Sequence, residues 1–165
     1  MTNIERVILF NQFQILAKLD PNEKGYYERS AKALQSGYSG NYEFLETLSP
    51  ELSEQECQIV WRTLDMYDAM RTSWVALTDK GNVKEQEIVY RGFDGNNETQ
   101  YMGYSQFIVE ECERFTYMGI KDHNSHMEMI PGYLRMLAAW AQFKESHNMT
   151  AEQLRAVLTA SHYPG

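Results

Sequence analysis

Residues 53–78 read SEQECQIVWRTLDMYDAMRTSWVALT, and this stretch decides the fold. Ser53 followed by Glu56 is a capping box, in which a hydroxyl and a carboxylate exchange bonds with each other's backbone N–H to start a helix. At about 100° per residue, Cys57, Val60, Trp61, Leu64, Tyr67, Trp74 and Val75 share one broad arc. Ile59, Met66, Met70 and Leu77 make a narrower stripe on the other side. A helix that is apolar on two sides is packed between neighbours, so this segment is expected to be central.

Working outward, the same punctuation recurs. Thr2-Asn3-Ile4-Glu5 is a second capping box, opening a helix to about Leu19. Asp20-Pro21-Asn22-Glu23 supplies a cap, a proline at the first helical position and a carboxylate three residues after the cap, for a helix ending at Gly37. Ser39-Gly40-Asn41 is a turn, with a short helical piece around Tyr42–Leu48. Residues 83–95 form an irregular or extended connector, with Glu87–Tyr90 as a short strand or tight link and Asp94–Asn97 as a turn. Helices follow over about 97–117, over 131–146 from Pro131, and from the Thr150–Gln153 cap to about Ser161. The expectation is all-α: a compact bundle of six to seven helices forming a single domain over residues 1–165.

Composition removes several functions. The 165-residue chain carries two cysteines with no Cys-x-x-Cys spacing, which excludes a zinc ribbon. Cys57 and Cys112 read as small buried hydrophobes. No leader-like or membrane-spanning run is present, so a cytoplasmic protein is expected. The net charge of −8 falls evenly on both halves, and no basic cluster exists to neutralise phosphates, so nucleic acid is an improbable partner. No nucleophile elbow, zincin motif, Walker loop or dinucleotide fingerprint occurs, and no cofactor is expected.

The residue pattern also resembles a known family. Asn11-Gln12, Leu19-Asp20-Pro21, Gly37-Tyr38, Met66-Tyr67-Asp68-Ala69-Met70 with Ser73-Trp74, Gly92-Phe93-Asp94 with Glu98 and Tyr101, then Gly103-Tyr104 and Phe107, are together similar to the YfbU family of small bacterial proteins. The resemblance implies an intracellular, multihelical protein and supplies no catalytic mechanism.

Polar residues inside apolar arcs are the site candidates. Asp68 and Arg71 lie three apart in the main arc of the long helix. They are expected to form a structural ion pair, or to line a polar pocket or interface with Trp74 close by, where Arg71 receives an anion. Asn11 falls among Ile4, Ile8 and Ile15, and Gln12 beside Leu16 and Leu19. Buried amides there would fix helix register, or else recognise a ligand. Asp94 is expected to cap the next helix. His123, His126 and Glu128 are the one concentration of metal-capable groups, but nothing predicts a rigid scaffold for them, and with Asn124 and Ser125 between they are expected to form a plain solvated loop with no metal. Glu110 and Glu113 face solvent.

Three functions remain. The first is a non-catalytic interaction or regulatory protein acting as a homo-oligomer or on a protein partner, motivated by the excess of Met and aromatic side chains. In that case the last helix and Tyr163 are a possible docking element. The second is a small-molecule or anion-binding protein, possibly an enzyme, with a pocket near Asp68, Arg71 and the Gly92–Asp94 turn. The third is a helical transcriptional regulator, against which the missing basic recognition helix counts.

Overall fold

In the computed structural model, which describes residues 1–162, both expected capping boxes are made. Thr2 and Glu5 exchange bonds at the start of α1 (Asn3–Leu19), and Ser53 and Glu56 do so at the start of α3 (Glu54–Ala76). A third box, Thr150 with Gln153, opens α6 (Ala151–Thr159). Between them lie α2 (Lys24–Ser36), α4 (Thr99–Gln106) and α5 (Ile130–Gln142). The protein is all-α, with six α-helices and no strand among the described residues. No described helix is long and apolar enough to cross a membrane. Tyr163 lies outside the described residues.

The chain divides into two compact units, Met1–Glu51 and Leu52–Gly165. In the first, α1 and α2 pair around Phe13, Ala31 and Leu34, with Leu9, Phe10, Tyr26, Tyr27, Tyr42 and Phe44 packed on them. Helix α2 begins later than expected. The Asp20 carboxylate accepts from the Asn22 N–H at 3.1 Å, so Pro21–Glu23 bend sharply, and the first helical carbonyl is that of Glu23. Its end is as read: Gly37 adopts φ 75°, where a residue with a Cβ would be strained.

In the second unit α3 is central. Val60, Leu64 and Tyr67 are buried on one side and Met66 and Met70 on the other, although Val75 at the end of the arc is exposed. Helix α5 lays Tyr133, Met136, Leu137 and Trp140 into the same core, and α6 adds Leu154, Val157 and Leu158. Helix α5 stops at Gln142, short of the expected Ser146, because Lys144 and Glu145 turn through positive φ and Trp140 Nε1 bonds the Ser146 carbonyl. The connector is no strand: Glu85–Ile88 is a single 3-10 turn.

Helix α4 departs most from the periodic reading. After Gln106 it widens into a π turn over Phe107–Glu111, with Cys112 N bonding the Phe107 carbonyl, and then ends. The extra residue in the turn rotates everything beyond it by roughly 100°. Cys112, expected in the core, is therefore exposed, and Cys57 is only half-buried. Phe115 reaches the core from the loop instead, against Trp61 at 5.9 Å.

Two features pin the loops of this unit. Gly92 crosses the backbone of His123 so closely that a Cβ on it would lie 2.1 Å from the His123 carbonyl oxygen. Phe93 and Asn124 then form a two-residue parallel bridge, Phe93 N to His123 O at 2.9 Å and Ser125 N to Phe93 O at 3.0 Å. The buried Glu98 carboxylate accepts from Asp94 N (3.0 Å), Met129 N (2.9 Å) and Ile130 N (2.8 Å), joining the turn before α4 to the start of α5. Replacing Glu98 by Ala strands these donors away from water and is expected to destabilise the fold by about 3 kcal/mol or more. Gly92→Ala meets immovable backbone at φ 83° and is expected to cost at least as much. Gly103→Ala, in α4 with open space around it, is expected to stabilise by about 0.5–1 kcal/mol. Urea unfolding curves of the three variants check these signs.

Candidate functional site

Helix α1 is apolar on two opposite faces. One carries Leu9, Phe10 and Phe13 and closes on α2. The other carries Ile4, Ile8, Ile15 and Leu19, with Val7 and Leu16 on its two flanks, and all six are exposed, Ile4 by 74% and Leu19 by 73%. Asn11 and Gln12 lie within this second face and are exposed too, so neither is the buried register-setting amide that the sequence suggested. The reason is the width of the neighbour: a single antiparallel partner helix covers one flank of α1, and the amides sit on the other. Asn11 also borders a groove of about 390 Å³ between α1 and α2, together with Asn3, Arg6, Val7, Phe10 and Leu34.

Asp68 and Arg71 do not pair with each other. Arg71 is exposed and donates to the Tyr117 carbonyl. Asp68 lies instead 3.7 Å from His147 Nδ1, and His147 Nε2 lies 3.5 Å from Asp65. A three-residue spacing permits a contact, but here each side chain found a partner on another segment of the chain. Burial raises the pKa of Asp65, an effect that His147 opposes and Asp68 reinforces. Asp65, Asp68 and His147 are the one group of metal-capable side chains brought together among the described residues. The imidazole stands between the two carboxylates, one at each ring nitrogen, which is the arrangement of bridged ion pairs.

The loop candidates are dispersed. His123 is buried, its Nδ1 2.9 Å from Ser105 Oγ, whereas His126 and Glu128 are exposed. They do not form a metal set, because the Gly92 crossing draws His123 inward. Ser105, His123 and Glu110 do make a serine–histidine–carboxylate row, with His123 Nε2 3.8 Å from Glu110, and no sequence spacing announces it. The proton direction is wrong for a nucleophile. Ser105 Oγ already donates to the Met102 carbonyl, so it accepts from the imidazole, and it is fully buried. The Tyr90 hydroxyl, buried beside Ser105 without a hydrogen bond of good geometry, has its pKa driven up by that burial. Tyr67 is likewise pushed up to about 12. These are neutral core phenols.

Asp94 does not cap α4, whose N-cap residue is Glu98; it closes the turn before that helix. Its carboxylate accepts from Asn96 N–H at 3.0 Å and from the Asn97 amide at 2.6 Å, and these bonds, the backbone one foremost, lower its pKa. Trp74 is held by its Nε1 bond to the Val83 carbonyl, with Lys80 Nζ 4.3 Å above the ring. With Arg71, Ile88, Tyr90 and Lys121 it lines a cleft of about 460 Å³.

The described residues make an all-α fold whose first helix carries a bare aliphatic face. The YfbU domain matches residues 1–160 of the chain, which belongs to this family.

Desolvation lowers the pKa of His123, outweighing the opposing pull of Glu110 and Asp122. The unfolded chain therefore binds a proton there that the folded chain does not. Stability from this residue is present above about pH 6.5 and is lost as pH falls through the folded pKa. Unfolding measured from pH 7.5 down to 5 is expected to show that loss, and His123→Gln is expected to flatten it over that range.

Proposed function

We propose that this chain is a non-catalytic protein-interaction module, acting as part of an oligomer, with the outer face of α1 as its contact surface. One observation carries the proposal: four large aliphatic side chains, Ile4, Ile8, Ile15 and Leu19, stand in water along one side of one helix, opposite the side already buried, with Val7 and Leu16 exposed on its two flanks. Together they present on the order of 600 Å² of apolar residue surface, at the upper end of the largest patch on a typical monomer. Single exposed leucines are ordinary; a continuous stripe is not. The amides within the stripe supply directional bonds without the desolvation penalty of a charge.

A second reading, binding of a small apolar anion, is supported by the cleft beside Trp74, which brings Arg71, Arg91 and Lys121 to an apolar wall of Ile88 and Met118. That cleft also contains Glu85 and Asp122, which offset much of its positive charge.

The interaction reading is tested on the tagged full chain recovered gently from its own cell, with the mass of the recovered species measured by light scattering. The expected result is a mass well above the 19.3 kDa of one chain. The Ile8→Asp/Ile15→Asp variant, altered only at exposed positions, is expected to keep its helical circular dichroism and fall to single-chain mass. A wild-type chain recovered alone, or a variant whose complex is unchanged, overturns the reading.

A further inference from the structure

The exposed face of α1 reads almost the same from either end. Taking residues whose numbers sum to 23, Ile4 matches Leu19, Val7 matches Leu16, Ile8 matches Ile15, and Asn11 matches Gln12. Every large exposed aliphatic residue of the helix has an aliphatic counterpart, and both amides fall at the midpoint. At about 100° per residue, Ile4, Ile8, Ile15 and Leu19 lie within about 60° of arc, with Asn11 and Gln12 flanking them on opposite sides. Such a face is complementary to itself when reversed.

We propose that α1 is a two-fold dimerisation helix, packed antiparallel on α1 of a second copy of this chain. The inference rests on the interaction reading above and names its partner. In such a pair Ile4 meets Leu19 of the second copy and Ile8 meets its Ile15, giving aliphatic layers on both sides of the axis. A two-fold axis relating antiparallel helices keeps each flank on its own side. Asn11 therefore meets Asn11 of the second copy on one flank, and Gln12 meets Gln12 on the other. A carboxamide carries both donor and acceptor, so it can hydrogen-bond to its own copy, whereas a charged group at either place would repel itself. Polar amides within an apolar seam are a known device for setting register.

Electrostatics favours the reversed orientation. Antiparallel packing sets the positive N-terminal end of each helix beside the negative C-terminal end of its mate. Size is adequate: α1 has 17 residues and is roughly 25 Å long. The four seam residues, without the flanking Val7 and Leu16, offer on the order of 400 Å² per copy, against roughly 800 Å² per partner in a standard stable interface. The predicted dimer is consequently one that dissociates on dilution. Isologous two-fold dimers are the commonest closed assembly, and they need a self-complementary patch of this kind.

The test uses the purified full chain with no other protein present. Sedimentation over a wide concentration range is expected to show a monomer–dimer equilibrium, with a dissociation constant raised at least about 30-fold by Ile8→Asp. Orientation is read from disulfide trapping in a background carrying Cys57→Ser and Cys112→Ser. Ile8→Cys mixed with Ile15→Cys is expected to give a cross-linked pair, and neither variant alone should. In the antiparallel pair, like positions stand about 10 Å apart along the axis, beyond disulfide reach. Rapid cross-linking of Ile8→Cys alone would mean parallel helices and overturn the geometry. A purified chain that stays monomeric throughout, while the complex recovered from cells persists and depends on Ile8 and Ile15, overturns self-pairing but leaves the interaction reading intact. Loss of both assemblies removes both.

Discussion

The Leu52–Gly165 unit depends on one close approach, the passage of Gly92 across the His123 backbone. With no Cβ at residue 92, the two chain segments come near enough for the Phe93 N–H to donate to the His123 carbonyl and the Phe93 carbonyl to accept from the Ser125 N–H. That contact delivers Phe93 into the aromatic core against Tyr101 and Tyr133, and Tyr133 returns its hydroxyl to the Gly92 carbonyl at 2.8 Å. Glu98 completes the arrangement by holding the N–H groups at the start of α5. A carboxylate there satisfies donors that helix geometry leaves unpaired and complements the helix dipole. The long, nearly structureless run from Cys112 to Met129 is thereby tied to the core without strands.

The same crossing accounts for the dispersal of the metal-capable groups in the loop. It pulls His123 away from His126 and Glu128 and seats it on Ser105, where the hydroxyl's proton is already committed to a helix carbonyl. A row of serine, histidine and carboxylate resembles a catalytic device only until its proton directions and burial are followed. Here the polar groups satisfy one another, and the neighbouring tyrosines stay neutral because burial opposes their ionisation.

In the Met1–Glu51 unit the governing constraint is the opposite one, a surplus of apolar surface. Helix α1 needs one face for α2 and has two. The second face keeps its aliphatic character over about four turns and is interrupted at its midpoint by two amides. Within a lone chain such a stripe is unfavourable in water, and its symmetry about Asn11 and Gln12 gives it the properties of a contact between equals.

Much of this was legible in the residues alone. Capping boxes at Thr2, Ser53 and Thr150 and the left-handed stop at Gly37 are local chemistry, decided by a few adjacent side chains and their backbone, and each appears in place. The burial of α3 on two sides followed from its apolar period. Tertiary structure decided what depends on neighbours distant in sequence. Periodicity assigns a direction to Asn11, Gln12, Asp68 and Arg71 but cannot say whether anything lies in that direction. The amides proved exposed, and the two charges turned to His147 and to the Tyr117 carbonyl. A π turn after Gln106, invisible to a fixed period of 3.6, rotated Cys112 out and left Phe115 to enter from the loop. Spacing along a chain records angles, whereas partners are chosen by distance in the folded chain.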